Sequence, residues 1–309
     1  MPSWTKSSLM RGALLGATLV AAVSLSGCDE GDAPLFPGLS AAAADAVEIT
    51  RGDSDLSFER DADGWWIALH EGRGRADDEL VEDLLDLLAR SRHGDIVPGG
   101  QDQLGTLGLA NGGTGRIVVT SSDRPIIDVR IGSDAPGPSQ VFMLPEGERG
   151  VFVSPDGLAD MFRLPFDDWR DHRITSFELP DVVGLELVNR GEMMVIVPVD
   201  GRWHMTRPVD QDVDKRFVDA LLFSLAELDA VGFESRRSPA ACGFGEDGSE
   251  GLGSVTVRLA IGPPQSVLFG GGDGDMWYVM RPDRDDIYLL PLEFVESVFG
   301  DVTAEPPSR

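Results

Sequence analysis

The sequence is poor in residues that build disulfide, metal and nucleic-acid chemistry. Its 309 residues include two cysteines, Cys28 and Cys242, so it is not a scaffold stapled by several disulfides. The four histidines, His70, His93, His172 and His204, are scattered, with no His-Glu-x-x-His and no close pair, which argues against zinc ligation. No Walker sequence, no Gly-x-Gly-x-x-Gly after a strand and no Gly-x-Ser-x-Gly elbow occurs, so neither phosphate cradling nor an exposed serine nucleophile is indicated. Gly52-Asp53-Ser54 resembles the start of a hydrolase block, but Asp55 stands where an apolar residue is required. Positive charge is scarce as well. Lys and Arg number 26 against 53 Asp and Glu, for a net charge of −27, which makes DNA or RNA a poor partner because phosphate contacts need cationic side chains. A 42% hydrophobic content is nevertheless that of a folded chain.

Most of the apolar length at the N-terminus lies in one short run. Lys6 and Arg11 precede Gly12 to Leu25 (GALLGATLVAAVSL), and small Ser26 and Gly27 follow. That is the layout of a signal peptide, and the run is shorter than the roughly 17–25 residues of a spanning helix. Leu25-Ser26-Gly27-Cys28 resembles the lipobox of bacterial lipoproteins, which implies cleavage between Gly27 and Cys28 and lipid on the Cys28 thiol. Each buried acyl CH₂ contributes about 0.8 kcal/mol, and two or three chains anchor firmly where one is marginal. A basic patch cannot supply the second anchor. Loss of residues 1–27 removes Lys6 and Arg11 and no acid, and an anionic membrane surface repels what remains. Asp29 follows the cysteine; in a Gram-negative cell it resembles the signal for retention at the inner membrane, the outer membrane being the alternative. Residues 28–46, rich in Pro, Gly, Ala and acids without periodicity, are expected to form a flexible tether.

The rest of the chain reads as a duplication. At an offset of 137 residues, Gly64-Trp65-Trp66 falls on Gly201-Arg202-Trp203, Asp77 on Asp214, Leu80-Val81 on Phe217-Val218, Leu84-Leu85 on Leu221-Leu222 and Leu88 on Leu225. Farther on, Val141-Phe142-Met143 falls on Tyr278-Val279-Met280 and Phe162 on Phe299. Repeat 1 is expected at 47–162, a connector at 163–181, repeat 2 at 182–300 and a tail at 301–309.

Each copy is expected to open on a hairpin (Val47–Thr50 with Leu56–Ala68; Val183–Val188 with Met193–Met205). Leu56-Ser57-Phe58-Glu59 alternates as a half-buried strand does. An amphipathic helix follows, from Asp77 to Arg92 and from Asp214 to Asp229. The first carries acids in its opening turns, as the helix dipole favours. Four short strands and a final short helix complete each copy. The order ββαββββα implies an α+β fold, a mainly antiparallel sheet with one main packed helix.

These features together resemble a bacterial family of domains of unknown function, number 4340. The resemblance rests on Gly-x-Trp, the acid-started helix, the steps Leu107-Gly108-Leu109 and Cys242-Gly243-Phe244, and Trp169-Arg170-Asp171 between the copies. It spans residues 47 to 300 and implies no catalytic residues. Genes of the family often stand beside ABC transporters of the gliding-motility type, which implies an accessory role at a membrane complex. Two features depart from the family: a lipobox replaces an N-terminal spanning helix, and no proline follows Leu109 or Phe244.

The remaining candidates have ordinary explanations. Asp210, Asp212 and Asp214 have the alternate spacing of a Ca²⁺ loop, but Lys215 and Leu221 stand where an EF-hand has Gly and Glu; a loop leading into a capped helix accounts for them. Gly270–Asp275 reads as a turn, Cys242 as a small buried hydrophobe, Trp66 and Trp203 as core residues, and His172 as a partner in a structural hydrogen bond near Asp171. The expectation is a lipid-anchored extracytoplasmic protein without catalysis or cofactor, serving as an interaction subunit with a protein partner. The alternative is a lipoprotein that holds a ligand or cation between the two copies.

Overall fold

A computed structural model describes residues 30–52, 54–70, 72–245 and 251–300. Two antiparallel sheets dominate, each with a long and a short helix, and the fold is α+β. The first lobe contains β1 (Ala46–Arg51), β2 (Ser54–Asp61), β3 (Gly64–Ala68), β4 (Arg73–Arg75), α1 (Asp78–Ala89), β5 (Gly115–Ser121), β6 (Arg124–Asp134), β7 (Val141–Pro145), β8 (Phe152–Val153) and α2 (Leu158–Arg163). The connector carries β9 (Arg173–Ser176). The second lobe contains β10 (Val182–Asn189), β11 (Glu192–Val199), β12 (Arg202–Arg207), β13 (Gln211–Asp212), α3 (Lys215–Ala226), β14 (Glu227–Asp229), β15 (Gly232–Glu234), β16 (Gly253–Leu259), β17 (Gln265–Asp273), β18 (Met276–Met280), β19 (Ile287–Pro291) and α4 (Leu292–Phe299).

The strand orders are β4-β3-β2-β1-β5-β6-β7-β8 and β13-β12-β11-β10-β16-β17-β18-β19-β15, and β14 pairs with β9 apart from both. In each sheet four strands meander outward, and the chain then returns through a helix to pair beside the first strand. That return lays α1 across one face of its sheet, where Val81, Leu84, Leu85 and Leu88 pack with Ile49, Phe58, Ile117 and Val129 in one core. Each such side chain contributes about 1.5–3 kcal/mol by leaving water. The second lobe builds its own core around Val218, Leu222 and Leu225 of α3.

Local chemistry sets where α1 begins. The Asp77 carboxylate accepts from the Leu80 amide at 3.1 Å, satisfying one orphan donor of the first turn. Asp78 accepts from the Trp65 amide at 2.6 Å and from Arg75 at 2.7 Å, tying the helix start to β3 and β4.

The structure differs from the expected order at three places. The stretch expected as one strand from Leu56 to Ala68, interrupted at Asp63-Gly64, is a second hairpin, with Asp61 opposite Gly64. Gly64 sits at φ +119°, a backbone that glycine alone enters freely, so the chain reverses there instead of continuing. The same reversal at Asp200-Gly201 separates β11 from β12. Four strands therefore precede each long helix, counting the short β4 and β13.

The expected tether is folded along part of its length. Leu35, Phe36 and Ala44 are buried in the first core, and the Leu35 amide donates to the Ser91 carbonyl at 2.8 Å. Irregular and 3-10 backbone carries these contacts, so no periodicity announces them. In the third departure, Trp65 is the core residue and Trp66 the half-buried one, with Arg73 and Arg75 over its ring at 4.0 and 5.1 Å.

Candidate functional site at the junction of the two lobes

The connector tripeptide Trp169-Arg170-Asp171 fastens one lobe to the other. Its backbone joins the first lobe: the Asp77 amide donates to the Trp169 carbonyl at 2.9 Å and the Asp171 amide to the Arg75 carbonyl at 3.0 Å. Trp169 is fully buried in the first core, its ring 5.2 Å from that of Phe58. Arg170 and Asp171 reach the second lobe instead. Arg170, 1% exposed, donates through Nη2 to Asp286, itself 3% exposed. Its Nη1 donates to Ser235 Oγ at 3.0 Å, and its guanidinium carbon lies 3.6 Å from the centroid of the Phe233 ring. Asp171 accepts from Arg284 at 2.8 Å, and Arg284 also donates to the Tyr288 hydroxyl at 3.1 Å. Burial pushes the Tyr288 phenol above its ordinary value, so it stays a neutral partner.

Asp286 is received by a gap in the first lobe. Its second oxygen accepts from the Arg75 amide at 3.3 Å. A Cβ on Gly74 would lie 2.7 Å from Asp286 Oδ1, closer than real contacts allow, so glycine there makes room for the carboxylate. Desolvating both charges is costly, and the pair survives because each carries further hydrogen bonds or ring contacts. Arg170 Nε is buried without a hydrogen-bond partner, a residual cost of that arrangement.

Beside this pair lies a cleft of about 1140 Å³ at the junction, with Arg170, Asp286, Phe166 and the Ser235–Pro239 segment among its walls. Most of its charges are already engaged. Glu234 accepts from the amides of Arg236 and Arg237 at 2.7 and 3.2 Å. Arg237 donates to Asp273 at 2.7 Å and also to Tyr278. Its charge is held above the usual arginine range, first by the hydrogen bond to Asp273. Arg236, His70 and Asp285 have no side-chain partner among the described residues.

A second concavity, of about 720 Å³, runs along the outer side of α3 and is lined by Leu179, Pro180, Trp203, Ala220 and Phe223 among others. Phe223 is 74% exposed. The residues at the same places on α1 are acids, Asp83 for Ala220 and Asp86 for Phe223. Among the described residues the large hydrophobic side chains that stay exposed are, except for Ile96 and Ile126, all at Leu179 or beyond. Phe217, which aligns with Leu80 of the first copy, is one of them.

Of the residues singled out from sequence, Gly27, Cys28 and Asp29 lie outside the described residues, as does Asp53. Asp210 and Asp212 converge on His204, at 2.6 Å from Nε2 and 3.0 Å from Nδ1, and the two hydrogen bonds, led by that to Asp212, hold the imidazole above its ordinary value. Asp214 points elsewhere and caps α3 by accepting from the Arg216 amide at 2.9 Å. Among the described residues no group of three or more potential ligands is arranged for a metal ion. Cys242 is buried beside Phe244, Tyr278 and Ile287, and burial pushes its thiol up, away from reactivity. His172 meets the carbonyls of Ala230 and Asp167, at 2.9 and 3.1 Å, and not Asp171. The Gly270–Asp275 stretch is largely strand: β17 runs to Asp273, with Trp277 packed where a Cβ on Gly272 would stand. Sequence reasoning missed Asp286, Ser235 and Arg236. The sign it offered was a tryptophan-arginine-aspartate tripeptide between two lobes.

The model of the family described as "Domain of unknown function (DUF4340)" matches residues 65–246, more than half of the chain and parts of both lobes. Neither the curated proteins nor the solved structures contain a match.

Proposed function

The chain belongs to the DUF4340 family of domains of unknown function, and from that premise we propose that it is an extracytoplasmic lipoprotein, anchored through lipid on Cys28, that serves a membrane complex as a non-catalytic interaction subunit. Its two lobes are tandem copies of one α+β unit. Supporting the duplication, α1 and α3 each span 12 residues and are capped by aspartates, Asp77 and Asp214, at corresponding places. Among the described residues no helix is long and apolar enough to cross a membrane. The family context favours a complex of the ABC-transporter type, of the kind linked to gliding motility.

The observation that carries the reading is the apolar groove of α3 with Phe223 at its rim. An acidic chain that places Phe where its first lobe places Asp spends solubility on that face, and clustered exposed apolar groups mark interaction surfaces. The test is capture of the anchored chain from membranes in mild detergent, with Phe223→Asp beside it. A membrane protein retained by the native chain and lost with the variant is expected, with thermal unfolding unchanged. A chain that migrates alone at native abundance refutes the proposal. Palmitate labelling of the native chain, absent from Cys28→Ser, tests the anchor separately.

A further inference from the structure

We propose that the junction cleft binds a ligand that presents a carboxylate on an apolar body. The protein leaves two donors of that cleft unanswered. Ser235 Oγ accepts from the buried Arg170 guanidinium at 3.0 Å. That bond polarises the hydroxyl, and no acceptor takes its proton among the described residues. Arg236 follows in the chain, and its exposed guanidinium has no partner among the described residues. Glu234, the nearest acid in sequence, is occupied by two backbone amides and does not pair with it. Ser235 and Arg236 thus offer adjacent hydroxyl and guanidinium donors at the cleft wall, the donor types that carboxylates accept from.

The other walls decide the class of anion. Asp167, Glu234, Asp285 and Asp286 all line the cleft, so a polyanion such as a phosphate ester meets stronger repulsion than a single carboxylate does. Leu69, Phe166 and Ile287 supply apolar surface beside the donors, where the ligand's apolar body can rest. The carboxylate can come from a free small acid or from the C-terminus of a peptide.

Calorimetry on the full chain in mild detergent tests this with N-acetylphenylalanine, the tripeptide N-acetyl-Ala-Ala-Phe with a free carboxyl, the primary amides of both, and inorganic phosphate. Saturable binding of a free acid is expected, with its amide weaker by about tenfold or more, since a charge-assisted hydrogen bond is lost. Arg236→Gln is expected to weaken the acid by a similar factor, and Ser235→Ala by a few-fold. Arg124→Gln, at an exposed arginine that begins β6, leaves binding unchanged. Tighter binding of the tripeptide assigns a peptide terminus; equal or tighter binding of the amino acid assigns a free acid. The proposal is overturned if neither acid binds saturably, if the amides bind as well, if phosphate binds as tightly, or if Arg236→Gln has no effect while its unfolding curve matches the native one. Phe223→Asp does not touch this site, so failure here leaves the partner proposal standing.

Discussion

Replacing Asp286 by alanine is the most direct test of how the lobes are joined. The substitution removes the carboxylate that Arg170 faces and leaves a guanidinium that is 1% exposed. What remains around that charge is Ser235 Oγ at 3.0 Å, the Phe233 ring, and Asp167 at 3.4 Å, whose side chain is 50% exposed. An uncompensated buried charge of this kind costs about 3–5 kcal/mol, a large part of the 5–15 kcal/mol that typically holds a domain. An exposed pair would contribute no more than about 1 kcal/mol. Urea unfolding followed by tryptophan fluorescence reads the difference, because Trp169 sits on the first-lobe side of the same tripeptide. The double substitution Arg170→Met with Asp286→Leu removes both charges and is expected to recover most of the loss, which separates the penalty of an orphaned charge from the net contribution of the pair. A single Asp286→Ala that loses less than about 1 kcal/mol would show that water reaches the junction and would sink the account of the clasp.

Three further outcomes follow from the same geometry. Gly74→Ala places a methyl against Asp286 and is expected to lose about 1–3 kcal/mol by overpacking, measured as a lowered urea midpoint. Trp169→Ala empties a fully buried site against Phe58 and is expected to cost about 3–5 kcal/mol by the same assay. His204, whose charged form Asp212 and Asp210 favour, contributes stability that is fully present below its ordinary value of 6.5 and is lost as pH rises through the raised folded value; the NMR titration of His204 should therefore shift down in Asp212→Asn, and an unmoved titration would refute the pairing.

The long helices were legible because helical periodicity and capping agree. Val81, Leu84, Leu85 and Leu88 fall on one face, and Asp77 stands where a cap is required. The strands were legible as strands, but their reversals were less so. Their sign is a change of phase, since the buried residues fall at even positions on β2 (Leu56, Phe58) and at odd positions on β3 (Trp65, Ile67). The short strands β4, β13 and β15 fall below the length at which alternation carries information. The junction was hidden for another reason: Arg170 and Asp286 lie 116 residues apart, and in a chain this rich in charge a buried aspartate looks like any exposed one. Arg236 stands out only once the structure shows Glu234, Arg237, Arg170 and Asp286 engaged elsewhere.

The three consecutive side chains of the connector are shared between lobes, with Trp169 in one and Arg170 and Asp171 in the other. No hinge residue separates them, so the lobes cannot swing apart in clamshell fashion without pulling a tryptophan from a core or stranding a charge. A guest entering the space between them would therefore meet walls already in place.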